Sequence, residues 1–128
     1  MQYRVIVVID DDPSMLKSVE RILKTHGYNT ELFSSVDDVY TRGQLHDATC
    51  IVMDINLKGK SGIELRRQLT RSGIFTPVIY ITGNDSETVR KAALDSGCIA
   101  YLTKPFPASA LVKAIEKAMI ETNSNQAK

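Results

Sequence analysis

Cysteine is scarce: only Cys50 and Cys98 occur in 128 residues, each in apolar surroundings. No C-x-x-C pair and no cysteine–histidine spacing suggests zinc, so the two are expected to be buried free thiols in a reducing, cytoplasmic setting. Neither sign of charge is in excess. The net charge is +1 and no long basic run is present, which leaves binding to nucleic acid or to an anionic membrane by bulk charge without support. Long apolar runs are missing as well, none approaching the roughly 18 to 20 residues that span a bilayer. The opening MQYRVIVV is not a signal peptide, because its apolar run ends in acid without a small-residue cleavage site. Internal repeats and low-complexity blocks are absent. The two histidines, His26 and His46, are isolated and expected on the solvated surface. The length suits one domain, expected over 1–122, with the polar NSNQAK of 123–128 as a terminus without fixed structure or the start of a linker.

What the chain does have is a regular alternation. Hydrophobic residues make up 43%, enough for a core. Short β-branched runs occur at 3–9, 29–33, 50–54, 77–82 and 99–103, and each is followed by a segment with helical periodicity. The first helix is predicted to start with Asp12 as N-cap and Pro13 in its first turn, and to stop at Gly27. The second begins near Ser34 or Ser35 and ends by Gly43. The third opens with SGIE, which reads as a capping box of Ser61 and Glu64, and closes at Gly73. The fourth is predicted from about Ser86 to Ser96, capped by Asp85 and stopped by Gly97. The fifth runs from about Pro107 to Ile120, with Leu111, Ile115, Ala118 and Met119 as its core stripe. Five strands alternating with five helices predict an α/β fold, a single doubly wound five-stranded parallel sheet with five flanking helices.

In such a sheet, ligands sit outside the carboxyl ends of the strands. Read together, those ends carry Asp10 and Asp11, then Asp54, then Thr82, then Thr103, Lys104 and Pro105. Three carboxylates, a hydroxyl and an ammonium therefore converge on one rim. Carboxylate oxygens suit a hard cation such as Mg2+, which typically completes its shell with water and phosphate oxygens. Lysine and hydroxyl supply donors for the other phosphoryl oxygens. An aspartate can itself take the phosphoryl group, and Asp54 at the end of the central strand is the natural nucleophile, with a flexible NLKGKSG loop behind it.

The segments IDDD, VMDINLKGKSG, YITGND and YLTKPF, in this order at these strand ends, closely resemble the receiver domain of two-component response regulators, over about residues 3 to 121. The resemblance implies the flavodoxin-like strand order 2-1-3-4-5. It implies a phosphorylation-dependent signalling switch that accepts a phosphoryl group on Asp54 from a histidine kinase or phosphotransfer protein. Mg2+, for which Mn2+ can substitute, would be held by Asp11 directly, Asp10 through water, Asp54, and the backbone carbonyl of Asn56. Thr82 would be the switch hydroxyl, Lys104 the bridging lysine, Lys104–Pro105 a cis peptide, and Tyr101 the aromatic switch. Gly83 is small enough to leave the site open. The face of the fourth helix, fifth strand and fifth helix would then meet an output domain, a downstream protein or a second copy. No direct nucleic-acid or membrane contact is implied, and no enzyme activity beyond self-phosphorylation and slow self-dephosphorylation. Leu57 and Lys58 depart from the Met-Pro often found there in receivers, which is expected to loosen the loop and add charge at the pocket mouth.

Two other functions use some of the same residues. A phosphohydrolase of the haloacid dehalogenase type needs a second aspartate two positions after the nucleophile, where this chain has Asn56. A receiver-like interaction module that is not phosphorylated usually lacks one of the acids, the threonine or the lysine, and all of these are present.

Overall fold

The three most apolar of the predicted runs become central strands buried on both sides, and the other two become the edges of the sheet. The computed structural model describes residues 4–42 and 45–126, and the side chains of all of these except residues 46 and 122–126. Strands β1 (Val5–Ile9), β2 (Asn29–Phe33), β3 (Cys50–Asp54), β4 (Val78–Thr82) and β5 (Ala100–Thr103) alternate with helices α1 (Pro13–Thr25), α2 (Val36–Arg42), α3 (Gly62–Arg71), α4 (Glu87–Asp95) and α5 (Ala108–Gln126). All neighbouring strands are parallel, in the order β2-β1-β3-β4-β5, as the alternation and the resemblance predicted. Every residue of β1, β3 and β4 is buried, whereas edge strand β2 alternates and β5 is half-buried.

Two hydrophobic layers enclose the sheet. On one face, Val7, Ile9, Ile51, Met53 and Tyr80 meet Val39 of α2, Leu65 and Leu69 of α3 and Ala93 of α4. On the other, Ile6, Val8, Val52, Ile79 and Ile81 meet Leu16, Val19 and Leu23 of α1 and Leu111, Ile115 and Ala118 of α5. Each fully buried aliphatic side chain contributes about 1.5–3 kcal/mol, so both layers fix the strand ends firmly. Cys50 lies in the second layer and Cys98 packs half-buried against the first, so the two thiols are on opposite faces and unbridged. Burial pushes the Cys50 thiol up to about 12, which makes it inert.

Several helix ends differ from the predicted ones. Asp12 does cap α1, accepting from the Ser14 N–H. The cap of α4, however, is Ser86, whose Oγ accepts from the Val89 N–H; Asp85 is turned elsewhere. Ser61 caps α3 through the N–H groups of Ile63 and Glu64, but the Glu64 carboxylate faces Arg67 and Arg71 rather than closing a capping box. The α5 backbone continues to Gln126, past the predicted end at Ile120, so most of the expected tail is helical and only 127–128 lie outside the described residues. Gly43, the predicted stop of α2, and the His46 side chain also lie outside them, while His26 is exposed and bonds the Ile22 carbonyl.

One arginine covers the β2 edge. The Phe33 carbonyl accepts from the Asp10 N–H, so alternation turns the Leu32 carbonyl outward. Arg42 donates to that carbonyl at 2.6 Å, holds both oxygens of Asp38, and lies over the Phe33 ring.

Candidate functional site

The two core layers stop at the carboxyl ends of the strands, and there the buried residues become polar. Asp10 follows β1, and its N–H continues the ladder to the Phe33 carbonyl at 3.1 Å. Its side chain is fully buried, with Oδ1 accepting from the Asp12 N–H at 2.9 Å and Oδ2 from Lys104 Nζ at 3.2 Å. Asp54 ends β3, also buried. Its Oδ1 accepts from the Asn56 N–H at 2.9 Å and its Oδ2 from Lys104 Nζ at 2.9 Å. Lys104 is set by a ladder bond from its own N–H to the Thr82 carbonyl at 2.8 Å, and it precedes a cis peptide to Pro105, as predicted. Asp11 is half-buried beside them. Oxygens of Asp10, Asp11 and Asp54 lie within 4.8 Å of one another.

The electrostatics are unbalanced. Three carboxylates against one ammonium leave two negative charges, the complement of a single divalent cation. Burial raises the Asp10 carboxyl above its usual range; the Asp12 N–H opposes this, the Asp54 charge adds to it, and Lys104 offsets part of it. Burial alone would lower the Lys104 amine, but Asp54 and Asp10 outweigh it and hold it above its usual value. A buried carboxylate held by one N–H and one amine, beside two further hard oxygen donors, is the donor set that suits a small divalent ion. The residues present therefore fit Mg2+.

The segment behind Asp54, expected to be a flexible loop, forms a short hairpin. Asn56–Leu57 and Lys60–Ser61 pair as a short antiparallel ladder around a two-residue turn. Lys58 and Gly59 both have positive φ, 43° and 80°, as a primed hairpin turn requires. Leu57 is buried, and Lys60 reaches Asp37 at 3.0 Å. Lys58 is exposed, consistent with a charge at the rim.

Sequence reasoning missed Gly62. A Cβ there would lie 2.4 Å from the Asp54 carbonyl oxygen and 3.1 Å from Met53, so α3 can pass under the end of β3 only with glycine at this place. The sole hint in the sequence is a glycine in the first turn of a helix, where it is otherwise unfavourable. At Gly83 a Cβ would meet only the Lys104 stem, at 3.9 Å.

Of the residues singled out, Asp10, Asp11, Asp54 and Lys104 share one pocket and Asn56 borders it. Thr82 is fully buried on the next strand end, its Oγ1 accepting from the Asn84 N–H at 3.1 Å. Tyr101 makes no bond to the three pocket carboxylates: its half-buried ring packs against the first core layer and its hydroxyl donates to Asp85 at 2.9 Å at the surface. Among the described residues no helix is long and apolar enough to cross a membrane.

This geometry can be set beside known proteins. The chain matches the response regulator receiver domain family over residues 6–116. It is 31% identical over 122 residues to the response regulator protein TmoT of Ectopseudomonas mendocina, covering 92% of this chain and 54% of that protein. Over 122 residues it is 30% identical to response regulator MprA of Mycobacterium leprae, covering 95% and 54%. The chain spans about half the length of the curated relatives it matches. Among solved structures, it resembles response regulator StyR at 33% identity with a TM-score of 0.82, covering 98% of this chain and 64% of that one. A CheY-like receiver domain protein from Methanospirillum hungatei shares the fold at a TM-score of 0.84 and 24% identity, covering 95% and 98%. Matched along nearly all of its length in sequence and in fold, the chain belongs to the response regulator receiver domains, the signalling domains of two-component systems.

Proposed function

We propose that this domain is a phosphorylation switch whose acceptor is Asp54. The observation that carries this reading is the gathering of Asp10, Asp11 and Asp54 within 4.8 Å, opposite an amine that already bonds two of them. The donor is a phosphohistidine of a histidine kinase or phosphotransfer protein. An Asp54 oxygen forms the new O–P bond, the P–N bond breaks, and the leaving imidazole takes a proton. The Asn56 N–H fixes Oδ1 and so orients the carboxylate. Lys104, bonded to Oδ2 at 2.9 Å, follows the negative charge onto a phosphoryl oxygen. Mg2+, or Mn2+ in its place, would be held by Asp11, Asp54, the Asn56 carbonyl and, through water, Asp10, and when bound it neutralises the charge that otherwise repels an anionic donor.

The Thr82 hydroxyl then exchanges the Asn84 N–H for a phosphoryl oxygen, and Tyr101 turns inward behind it. The face of α4, β5 and α5 changes, and an output domain, a downstream protein or a second copy reads it. Phosphorylation acts by its differential contacts with the two arrangements. The setting is the cytoplasm, and the only chemistry is self-phosphorylation and slow self-dephosphorylation. Labelling with acetyl phosphate and Mg2+ tests the assignment. The parent chain should take up one acid-stable, base-labile phosphoryl group and Asp54→Asn none. Undiminished labelling of the variant moves the acceptor elsewhere, and an unlabelled parent points to an interaction module that is not phosphorylated.

A further inference from the structure

Tyr101 is held by contacts that the acidic pocket does not use. Its hydroxyl donates to Asp85 Oδ1 at 2.9 Å, Arg90 Nη2 donates to Asp85 Oδ2 at 2.9 Å, and the Arg90 guanidinium lies 4.9 Å from the centre of the tyrosine ring. The three residues form a closed ring of contacts: Asp85 uses both oxygens, and Arg90 uses both its charge and its flat face. They come from three separate segments, the β4–α4 loop, α4 and β5. A lone ion pair as exposed as Asp85–Arg90 contributes little. Here, however, the pair closes on an aromatic side chain, and the carboxylate is not occupied as a helix cap, since Ser86 has that role.

The same loop also occupies Thr82. The Thr82 Oγ1 accepts from the N–H of Asn84, the residue immediately before Asp85. The loop conformation that engages the Thr82 hydroxyl is therefore the one that sets the Asp85 carboxylate beside Tyr101. Drawing the hydroxyl toward Asp54 removes the Asn84 bond and displaces the neighbour of Asp85.

We infer that Asp85, Arg90 and Tyr101 form a latch that keeps the Tyr101 ring turned outward and thereby lowers the affinity of the Asp54 pocket for a phosphoryl group. The inference rests on the phosphoacceptor reading for its ligand, but the latch itself is a property of the unphosphorylated chain. In a two-state domain, apparent affinity scales with the fraction of molecules in the competent arrangement. Each contact lies at the surface, so deleting one should raise that fraction by about 2- to 5-fold.

The test uses Asp85→Ala, Tyr101→Phe and the double variant of the full chain, with Mg2+ and beryllofluoride as the phosphoryl stand-in. Each single variant should saturate at about 2- to 5-fold lower beryllofluoride than the parent, and the double variant should gain no more than the better single, because both remove the same bond. The second readout is the Tyr101 ring in the absence of any ligand, followed by nuclear magnetic resonance. In Asp85→Ala the ring should exchange between outward and inward positions, with new contacts to Thr82. Unchanged affinity together with an unchanged ring overturns the latch. A ring freed by Asp85→Ala in a protein that never binds beryllofluoride upholds the restraint on Tyr101 but overturns the phosphoacceptor reading and, with it, the effect on affinity.

Discussion

Replacing Gly62 by alanine would push a methyl group into the backbone of the acceptor strand. The new Cβ would start 2.4 Å from the Asp54 carbonyl oxygen and 3.2 Å from the Ile55 Cα. Backbone atoms cannot swing aside, so α3 must retreat by more than about half an ångström before the contact becomes tolerable. The bond from the Gly62 N–H to the Ile55 carbonyl, now 2.7 Å, would stretch with it. Overpacking of this kind costs about 1–3 kcal/mol. Gly62 has no positive φ, so alanine also recovers about 0.4–1 kcal/mol by restricting the unfolded chain. The net loss is about 1–2 kcal/mol. For a chain of this size, with an unfolding entropy of about 0.27 kcal/mol/K, Tm should fall by roughly 4–7 °C. Displacing the end of β3 also moves the Asp54 carboxylate relative to Lys104, so labelling by acetyl phosphate should slow by about 10-fold or more. Gly83→Ala is the control: its methyl meets only the Lys104 stem at ordinary contact distance, and both Tm and labelling should stay near those of the parent. Calorimetry and a labelling time course measure the two effects. If Gly62→Ala matches the parent in both, the close approach of α3 to Asp54 is wrong.

Other consequences can be checked with the same tools. Lys104→Met removes an influence that lowers the Asp10 carboxyl, which burial already raises. A carboxyl whose folded value lies above its unfolded one binds protons more tightly when folded. The variant should therefore gain stability relative to the parent as pH falls through the raised Asp10 value, by at most about 1.4 kcal/mol per pH unit, with the gain complete below the ordinary carboxylate range. A relative loss over that range refutes the assignment. Saturating Mg2+ should raise the Tm of the parent, and Asp11→Asn should weaken binding about 10-fold or more and cut the shift by about 5 °C at equal Mg2+; an undiminished shift removes Asp11 from the ligand set. The Tyr101 phenol is held above its usual value, first by burial and then by its bond to Asp85, so it should ionise later than free tyrosine as pH rises. Phenolate absorbance should show Asp85→Ala ionising earlier, and an unmoved titration contradicts the contact.

The sheet was legible because β1, β3 and β4 are buried on both faces and their sequences are continuous β-branched runs, a pattern few other structures tolerate. The convergence of Asp10, Asp11, Asp54 and Lys104 followed from the rule that a parallel sheet presents its strand ends on one rim. What failed to read out was side-chain direction. Asp85 and Ser86 are both good caps, and only the path of the loop decides that Ser86 turns inward to the helix while Asp85 turns outward to Arg90 and Tyr101. Glu64 had a capping partner one turn back and two arginines ahead, and it faces the arginines. The Lys58–Gly59 turn needed a lysine at positive φ, which composition alone does not suggest. The role of Gly62 depends on a distance between segments, which no local pattern carries.

An open sheet ends in two unpaired strands, and a row of free backbone groups there is a template on which another chain can align. At β2 the guanidinium of Arg42 already fills one outward acceptor and shields the adjacent ring, while Asp38 keeps it in place. A second chain aligning on that border would first have to displace this guanidinium, giving up the Leu32 carbonyl bond and the ring contact that a bare edge would not hold.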